Sequence, residues 1–302
     1  MELPVLVIGE ALIDIVIPFS GDTVEHVGGS PANVAIGLAR LGHTAQLATH
    51  IGADARGRRI AALLASEAVA LTPGSDRAER TPTAAAHLDV TGAASYEFDL
   101  DWQLDPELEV AAGHVHTGSI AATLKPGGEA VAAIVARARQ SATVSYDPNA
   151  RPSLMISADL VRDDIEALVA AADVVKASDE DVAWLYPGRS IEDVLTGWAN
   201  LGPRVCAVTR GGEGALVLVQ EEFRQFAAPS TAVVDTVGAG DSFMSGFVSG
   251  LLDAGLLGGL EARDRLAAAG WDEVTPAVER ALACAAITVS RAGANPPTRA
   301  EL

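Results

Sequence analysis

A glycine-rich turn that leads into a helix is the part of the sequence with the most definite chemistry. The turn Gly238-Ala239-Gly240 follows an apolar strand end and precedes Asp241. No side chain shields the backbone N–H groups of such a turn, and the first N–H groups of the helix lie unpaired at the positive end of its dipole. These features predict a site for phosphate oxygens with a carboxylate directly beside it.

An anion site next to a carboxylate needs a chemical reason, and phosphoryl transfer supplies one. An attacking hydroxyl must lose its proton, and Asp241 can accept it. Because the transition state of this reaction is loose, positioning and neutralisation of charge matter more than the strength of the base. For the isolated pattern Gly-x-Gly-Asp a second interpretation stays open, in which Asp241 only caps its helix.

The charge of the chain limits its partners. The 302 residues carry a formal charge of −19, and lysine occurs only at Lys125 and Lys176. A surface this acidic repels nucleic acid and anionic lipid, so neither nucleic acid nor a membrane is expected as a partner. It would also repel a nucleotide, so a nucleotide site needs local compensation from backbone N–H groups, arginines and a divalent metal.

The sequence contains no feature of export or membrane insertion. No apolar run reaches the roughly 20 residues that a membrane span requires, and the first residues lack the basic start and cleavage site of a signal peptide. Cys206 and Cys284 form no Cys-x-x-Cys pair. We therefore expect a cytoplasmic protein with two buried thiols.

The elements around the glycine turn predict an α/β fold. Strands that alternate with helices form a mostly parallel sheet with helices on both faces. The predicted strands are Val5–Ile8, Gln46–Ile51, His114–Thr117, Thr143–Tyr146, Val174–Lys176, Val205–Thr209 and Ala215–Val219. The predicted helices are Pro31–Leu41, Gly57–Ala68, Glu129–Arg139, Ile165–Ala171, Ile191–Leu201, Asp241–Asp253 and Pro276–Arg291.

One segment departs from this alternation. Thr83–Val90 and Ser95–Leu100 have the pattern of two strands joined around Gly92, with no helix after them. Together with residues near 11–30, this segment near 83–104 is expected to form a small β-sheet that projects from the main sheet as a lid. The whole chain, residues 1–302, is then one domain with a lid.

Two longer strings in the sequence resemble the signatures of a known family. Asp235–Phe243 (DTVGAGDSF) resembles the C-terminal signature of the PfkB, or ribokinase-like, carbohydrate kinases, and Gly28–Ala35 (GGSPANVA) resembles their N-terminal signature. The two strings stand in the expected order, and the resemblance runs essentially from Val5 to Pro297. With both present, the interpretation of Asp241 as a mere helix cap loses its support.

Two further strings are most similar to fructokinases, namely Gly9–Asp14 (GEALID) and Asp147–Arg151 (DPNAR). The resemblance implies an ATP-dependent sugar kinase of ribokinase-like fold and of fructokinase type, with fructose as the expected acceptor. Other acceptors of the same family stay open, namely 2-keto-3-deoxygluconate, ribose or a nucleoside. A catalytically silent sugar-binding protein is the alternative from another functional class.

The resemblance also implies roles for individual residues of the reacting centre. Asp241 matches the catalytic base of the family. Its anion hole corresponds to Gly238, Ala239 and Gly240, and the residues that bind sugar hydroxyls correspond to Asp14, Gly28, Gly29 and Asn33, together with Asp241. Arg151 is expected to clamp the transferring phosphoryl group or the substrate, or else to be a surface arginine that follows a turn.

Nucleotide and metal contacts are implied in the same way. The nucleotide-binding positions are Lys176, Ser178, Thr209, Gly211, Gly214, Gly238, Gly240, Ala285 and Asn295. Asp181 stands where many members carry a glutamate linked to Mg²⁺, so it is expected either to act on Mg²⁺ through water or to be an acid at a helix start. A monovalent-cation site, filled by K⁺ in several members, would involve Asp235, Val237, Arg291 and Gly293.

The open strand edges of the predicted lid bear on the oligomeric state. A lid with unpaired edges can pair with the lid of a second copy, so we expect a homodimer. The prediction as a whole is an ATP- and Mg²⁺-dependent sugar kinase whose partners are ATP, a small sugar and a second copy of itself. The lid would close over the sugar and exclude water as a competing acceptor.

Overall fold

Two β-sheets organise the computed structural model, which describes residues 3–90 and 94–302. The main sheet contains β1 (Val5–Ile8), β4 (Ala45–Ala48), β5 (Val69–Leu71), β8 (His114–Gly118), β9 (Thr143–Asp147), β10 (Val174–Ser178), β11 (Val205–Thr209), β12 (Ala215–Val219) and β13 (Glu222–Phe226). Their order across the sheet is β13-β12-β11-β10-β9-β8-β1-β4-β5. Only the pairings of β12 with β11 and with β13 are antiparallel, which confirms the predicted mostly parallel sheet.

Helices cover both faces of this sheet. They are α1 (Ser30–Arg40), α2 (Ala55–Ser66), α3 (Gly127–Ala138), α4 (Pro152–Met155), α5 (Ala158–Ala171), α6 (Asp179–Leu185), α7 (Ile191–Leu201), α8 (Ala239–Asp253), α9 (Leu260–Ala268) and α10 (Trp271–Val289). Among the described residues, no helix combines the length and the apolar composition that a membrane span requires.

The alternation of side chains along β1 shows how one sheet serves two cores. Val5 and Val7 pack in the core that contains α1, α8 and α10. Leu6 and Ile8 point the other way and pack in the core that contains α3, α5 and α7. Because successive side chains of a strand point to opposite faces, a strand covered on both sides must be apolar throughout.

A second sheet of four strands lies beside the main one. Its strands are β2 (Leu12–Ile17), β3 (Val24–Gly28), β6 (Thr83–Leu88) and β7 (Ala94–Asp99), in the order β3-β2-β6-β7. Ile13, Ile15 and Ala85 on one face belong to the core with α1 and α8, whereas Asp14 lies on the other face and is exposed. The connection predicted around Gly92 lies outside the described residues.

Several boundaries differ from those predicted. Helix α10 begins at Trp271 and not at Pro276, because Glu273 caps its start by accepting the N–H of Gly270 at 3.0 Å. Helix α5 begins at Ala158, seven residues before Ile165. The sequence pattern also missed β5, β13, α4, α6 and α9. Strand β13 has the sequence EFRQF and is half-exposed, so it lacks the apolar run by which the buried strands were recognised.

Glycines fix the helix that carries Asp241 against its neighbours. A methyl group at Gly37 of α1 would overlap the Ser245 hydroxyl of α8, and one at Gly250 of α8 would lie 2.5 Å from Ala277 Cα of α10. Ser242 and Thr288 add a hydrogen bond of 2.7 Å between the hydroxyls of α8 and α10. Helix α8 is therefore held on both sides at close range.

Candidate active site

Asp241 lies where the N-termini of α1 and α8 meet. Ser30 Oγ donates a hydrogen bond of 2.6 Å to Asp241 Oδ1, and Asn33 Nδ2 donates one of 2.8 Å to Asp241 Oδ2. Both donors come from the first turn of α1. Asp241 is partly buried, and these two bonds hold its carboxylate in one orientation against the first turn of α1.

The backbone beside Asp241 carries unpaired N–H groups at the position predicted for the anion site, with one exception. Gly238 has a φ of 73°, which favours glycine, and a methyl group there would lie 2.5 Å from Ala294 Cβ. Ala239 donates its N–H to Thr236 O at 3.2 Å. The N–H groups of Gly238, Gly240 and Asp241 have no partner within the described part of the chain. These three N–H groups are the ones left to bind an anion.

A buried ion pair lies beneath this turn. Lys176 Nζ donates a hydrogen bond of 2.9 Å to Asp147 Oδ2, and the side chains are 4% and 1% exposed. A methyl group at Gly240 would lie 3.0 Å from Lys176 Nζ. Burial by itself would lower the pKa of Lys176, but Asp147, Asp181 and Asp241 raise it above its ordinary value. Lys176 therefore stays charged under the anion site and supplies the local cation that an acidic chain requires.

Asp14 and Gly28 are diagonal neighbours on the paired strands β2 and β3 of the small sheet. Asp14 pairs with His26 across β2 and β3, and a methyl group at Gly28 would overlap Asp14 Oδ2. The protein atoms around Asp14 reduce the hydration of its carboxyl and raise its pKa, while the charges of His26 and Arg151 act in the opposite direction. This carboxylate is available to a ligand in the cleft.

Arg151 and Asp181 follow different patterns of contact. Arg151 is exposed and uses only Nη1, which donates to Asn149 Oδ1 at 2.7 Å and to two carbonyls. Asp181 is buried, and both of its oxygens accept backbone N–H groups, from Ala150 at 2.7 Å and from Ser178 at 2.8 Å. It forms a capping box with Ser178 at the start of α6. Contact of Asp181 with Mg²⁺ through water stays a prediction.

The remaining predicted nucleotide positions spread around the ends of β10, β11 and α10. Thr209 Oγ1 donates to Ala177 O at 3.3 Å, and Gly211 lies in an open turn where an added methyl group would meet no atom within 4 Å. Gly214 has a φ of 92°. Ala285 is half-buried in α10, and Asn295 Oδ1 accepts a hydrogen bond of 2.6 Å from Arg40 Nη1.

The loop predicted to hold a monovalent cation is closed by Asp235. Its carboxylate accepts the N–H of Val237 at 3.0 Å and that of Gly293 at 2.8 Å, and these bonds lower the pKa of Asp235. Arg291 forms an ion pair with Glu301. The structure thus brings together the four residues of the predicted cation site, while binding of K⁺ stays a prediction.

A comparison of the chain with models of protein families decides its membership. The model of the pfkB family of carbohydrate kinases matches residues 3–301. The chain belongs to this family. The kinase is also similar to the fructokinase of Klebsiella pneumoniae, at 33% identity over 97% of this chain and 95% of the relative.

Solved structures agree with this assignment. Fructokinase from Vibrio cholerae O395, with fructose, ADP and potassium ion bound, superimposes with a TM-score of 0.80 at 27% identity, covering 97% of the kinase and 95% of that chain. Aminoimidazole riboside kinase from Salmonella enterica, complexed with aminoimidazole riboside and an ATP analogue, gives 0.79 at 25% identity, covering 96% and 95%. The predicted ribokinase-like fold and ATP-dependent sugar kinase activity are confirmed.

Three residues of the site were not among those predicted. Ser30 contacts Asp241, Asp147 pairs with Lys176, and Glu10 is buried, at 6% exposed, after the end of β1. Each stands inside a string that marks the family, so the sequence did carry a signal. A polar residue of unassigned role within such a string, directly after a buried strand, is the feature that would have identified Asp147 and Glu10.

The contact between Gly28 and Asp14 leads to a prediction about acceptor affinity. In Gly28→Ala the new methyl group must displace the Asp14 carboxylate, which can move because it ends a flexible side chain. We expect KM for the acceptor to rise about ten-fold, the equivalent of one lost hydrogen bond to a charged group, with KM for ATP little changed. Steady-state kinetics with each substrate varied in turn would measure both values.

A double-mutant comparison tests whether Gly28→Ala raises KM for the acceptor through Asp14. If Gly28→Ala acts by displacing Asp14, then adding it to Asp14→Ala should raise KM no further. Gly197→Ala, in α7 with only Arg189 Nη2 at 3.7 Å from the new methyl group, is the control. Additive effects of Gly28→Ala and Asp14→Ala would contradict the proposed contact.

Proposed function

We propose that this kinase transfers the γ-phosphoryl group of ATP to a hydroxyl of fructose. The observation that carries the proposal is the position of Asp241, which is held by Ser30 and Asn33 at one end of the cleft and lies beside unpaired N–H groups at the other. Fructose as the acceptor is supported by relatives such as the Klebsiella pneumoniae fructokinase and by the Vibrio cholerae fructokinase structure that holds fructose and ADP.

The reaction follows from this arrangement of groups. A sugar hydroxyl that binds beside the hydrogen-bonded pair of Asn33 and Asp241 gives its proton to the Asp241 carboxylate as its oxygen forms a bond to the γ-phosphorus. The bond from that phosphorus to the β-phosphate oxygen breaks, and ADP leaves. The N–H groups of Gly238 and Gly240 and the charge of Lys176 stabilise the negative charge on the transferring group.

Asp147 is the residue of the site that is best suited to hold a divalent metal. Asp147 Oδ1 is buried and has no hydrogen-bond partner, and an orphaned carboxylate oxygen of this kind is suited to a cation or its water. Within the described ranges no cluster of three or more His, Cys, Asp or Glu side chains could hold a metal, which agrees with Mg²⁺ held by one or two carboxylates and the phosphates. Mg²⁺ would supply neutralisation of the phosphate charge. Asp147 would hold it, with Asp181 placed to orient a water.

The acceptor contacts are proposed to come from both sheets. Asp14 and the backbone at Gly28 and Gly29 would bind hydroxyls from the small sheet, and Asn33 from α1. Arg151 has its Nε and Nη2 donors without partners among the described residues, so it can clamp the substrate or the phosphoryl group. The small sheet would close as a lid of the single domain and exclude water.

An acceptor panel tests the choice of sugar. Fructose, 2-keto-3-deoxygluconate, ribose and aminoimidazole riboside would be compared by ADP release, with the phosphorylated position assigned by ³¹P NMR. We expect the largest kcat/KM for fructose. A value at least about ten-fold higher for another acceptor, which corresponds to about 1.4 kcal/mol, would overturn fructose while leaving the kinase assignment intact. ADP release equal with and without every acceptor would contradict the transfer itself.

We also propose that the kinase is a homodimer in which the small sheets of two copies pack together. The Asp14 face of this sheet exposes Val24 and Tyr96, which are 46% and 63% exposed, and Tyr96 stacks on Phe98 with ring centroids 6.0 Å apart. An exposed apolar sheet face of this kind is typical of a surface that packs against another protein. Sedimentation velocity should find a dimer that Tyr96→Asp weakens; a wild-type monomer at micromolar concentration would contradict it.

Two further features of the proposal concern ions and location. The loop closed by Asp235 is proposed to bind K⁺ through carbonyl groups near Val237 and Gly293, as the potassium ion in the Vibrio cholerae structure suggests by analogy. A cytoplasmic location is proposed because ATP is supplied there and because Cys206 and Cys284 are both buried free thiols.

A further inference from the structure

Glu10 is a buried acid that the proposed reaction does not use. It stands two residues after the end of β1, and it is 6% exposed. No basic side chain forms an ion pair with it among the described residues. A carboxylate removed from water without a paired cation is costly, so its presence between β1 and β2 calls for a reason beyond packing.

The contacts of its carboxylate reach the turn that follows β8. Ala121 N–H donates to Oε2 at 3.3 Å, and the neighbouring Ser119 side chain acts to lower the pKa of this carboxyl. Ser119 has a φ of 58°, a left-handed conformation that non-glycine residues seldom adopt. Gly118, just before it, packs so closely on the end of β9 that a methyl group there would overlap Asp147 O. Glu10 thus accepts a hydrogen bond from a strained turn, and this turn packs against the backbone of Asp147.

The backbone of Glu10 contacts the opposite wall of the acceptor pocket. A methyl group at Gly29 would overlap Glu10 O and would lie 3.0 Å from Ala11 Cα. Gly9, one residue earlier, packs against the ring of Pro31 in the first turn of α1. The same residue therefore contacts the Gly28–Gly29 turn through its backbone and the Ser119 turn through its side chain.

The charge of Arg151 reaches two carboxyls in this region. Its positive charge acts to lower the pKa of both Glu10 and Asp14. Burial is the larger effect on Glu10 and raises its pKa to about 7.

We propose that Glu10 is a positioning residue of the acceptor pocket, whose carboxylate fixes the Ser119–Ala121 turn against the Gly28–Gly29 turn. The proposal rests on the proposed sugar kinase function and adds a residue that contacts neither substrate. Its charge, and not only its shape, strengthens the hydrogen bond that it accepts from Ala121 N–H. Replacement by an isosteric neutral residue should therefore loosen acceptor binding and leave ATP binding nearly as it was.

Glu10→Gln is the variant that separates charge from shape. We expect KM for the acceptor to rise about ten-fold, as for the loss of a hydrogen bond to a charged group, with KM for ATP within about two-fold of wild type. Glu129→Gln is the control, since Glu129 lies on the exposed surface of α3 with a 68% exposed side chain. Thermal unfolding of each variant would show that the fold is retained.

The pH dependence of kcat/KM for the acceptor distinguishes the two roles of Glu10. It should change in a variant if the charge of Glu10 matters, and should not change if Glu10 only fills space. The charged groups that face Glu10 and its pocket are Arg151, from the loop after β9, and Asp14 and His26, from β2 and β3; the Ser119 turn and the first turn of α1 carry none. Wild-type kcat/KM for the acceptor should fall as Glu10 is protonated below pH about 7. Burial also raises the pKa of Asp147, at the end of β9, to about 6. Glu10→Gln should therefore lose the part of the decline near pH 7, start from the low value, and keep only a decline at lower pH that belongs to Asp147.

Three outcomes would overturn the proposal. They are an unchanged acceptor KM in Glu10→Gln, an equal rise of KM for ATP, and a variant that keeps the wild-type pH profile. If Glu10→Gln fails to fold, Ser119→Ala removes one donor and leaves Glu10 in place, and it must show the same rise in acceptor KM. Absence of kinase activity in the wild type would refute the proposed function instead, so the two failures are distinguishable.

Discussion

Replacing Asp241 with asparagine is expected to lower kcat by about 10²–10⁴-fold, which is the range for a general base. The amide keeps the shape of the carboxylate and can still accept a hydrogen bond from Ser30 or Asn33. It cannot take the proton of the attacking hydroxyl, so the loss should appear in kcat. The acceptor should still bind, with a dissociation constant within a few-fold of wild type by isothermal titration calorimetry.

The control for this experiment is an aspartate outside the site. Asp264 lies exposed on α9, and Asp264→Asn should retain wild-type kcat. If Asp241→Asn also turned over at the wild-type rate, Asp241 would not be the base, and the site described above would need another proton acceptor. Loss of acceptor binding along with kcat would instead indicate that Asp241 mainly binds the sugar.

Replacing Lys176 with methionine is expected to cost about 3–5 kcal/mol of unfolding free energy, because it leaves Asp147 as an uncompensated buried charge. Activity should fall with it, since the cation beneath the anion site is lost. Adding Asp147→Asn removes the stranded charge, so the double variant should regain most of the stability and none of the activity. Urea unfolding and steady-state kinetics would measure the two effects separately.

The sequence provides a matched control in its second lysine. Lys125 has a 62% exposed side chain and pairs with Glu129 at 3.4 Å on the surface. Lys125→Met should therefore change the unfolding free energy by less than about 1 kcal/mol. If Lys176→Met were equally mild, the pair of Lys176 and Asp147 would not be the buried ion pair described here. Recovery of activity in the double variant would refute the catalytic role of Lys176.

The parts of the fold that follow local physics were predictable from the sequence. Buried strands such as Val5–Ile8 and Val205–Thr209 were recognised by their apolar runs, and the start of α8 by its glycines. The strand β13 and the helix α6 were not predicted. The sequence of β13 is mostly polar and exposed, and α6 is only seven residues long. Pro276 misled the prediction of α10, since a proline commonly opens a helix but here lies within one.

The residues of the site divide in the same way, into those that local sequence patterns reveal and those that only tertiary contacts reveal. The family strings placed Asp241 and Asn33 in one pocket, but the contact of Ser30 with Asp241 joins residues 211 positions apart and no local pattern encodes it. The orphaned oxygen of Asp147 and the burial of Glu10 depend on how neighbouring strand ends pack. Such contacts are set by tertiary structure, so they become visible only when the strands and helices are assembled.

The glycine contacts of α8 determine which part of the enzyme can move during a turnover. With Gly37 and Gly250 at close range to Ser245 and Ala277, α1, α8 and α10 form one rigid body that carries both Asn33 and Asp241. We therefore expect their separation to stay constant through the cycle, and the lid closure proposed above to be confined to the small sheet that carries Asp14. Substitutions in that part should alter how tightly and how quickly the sugar is captured, whereas the rate of the chemical step at saturation should stay the same.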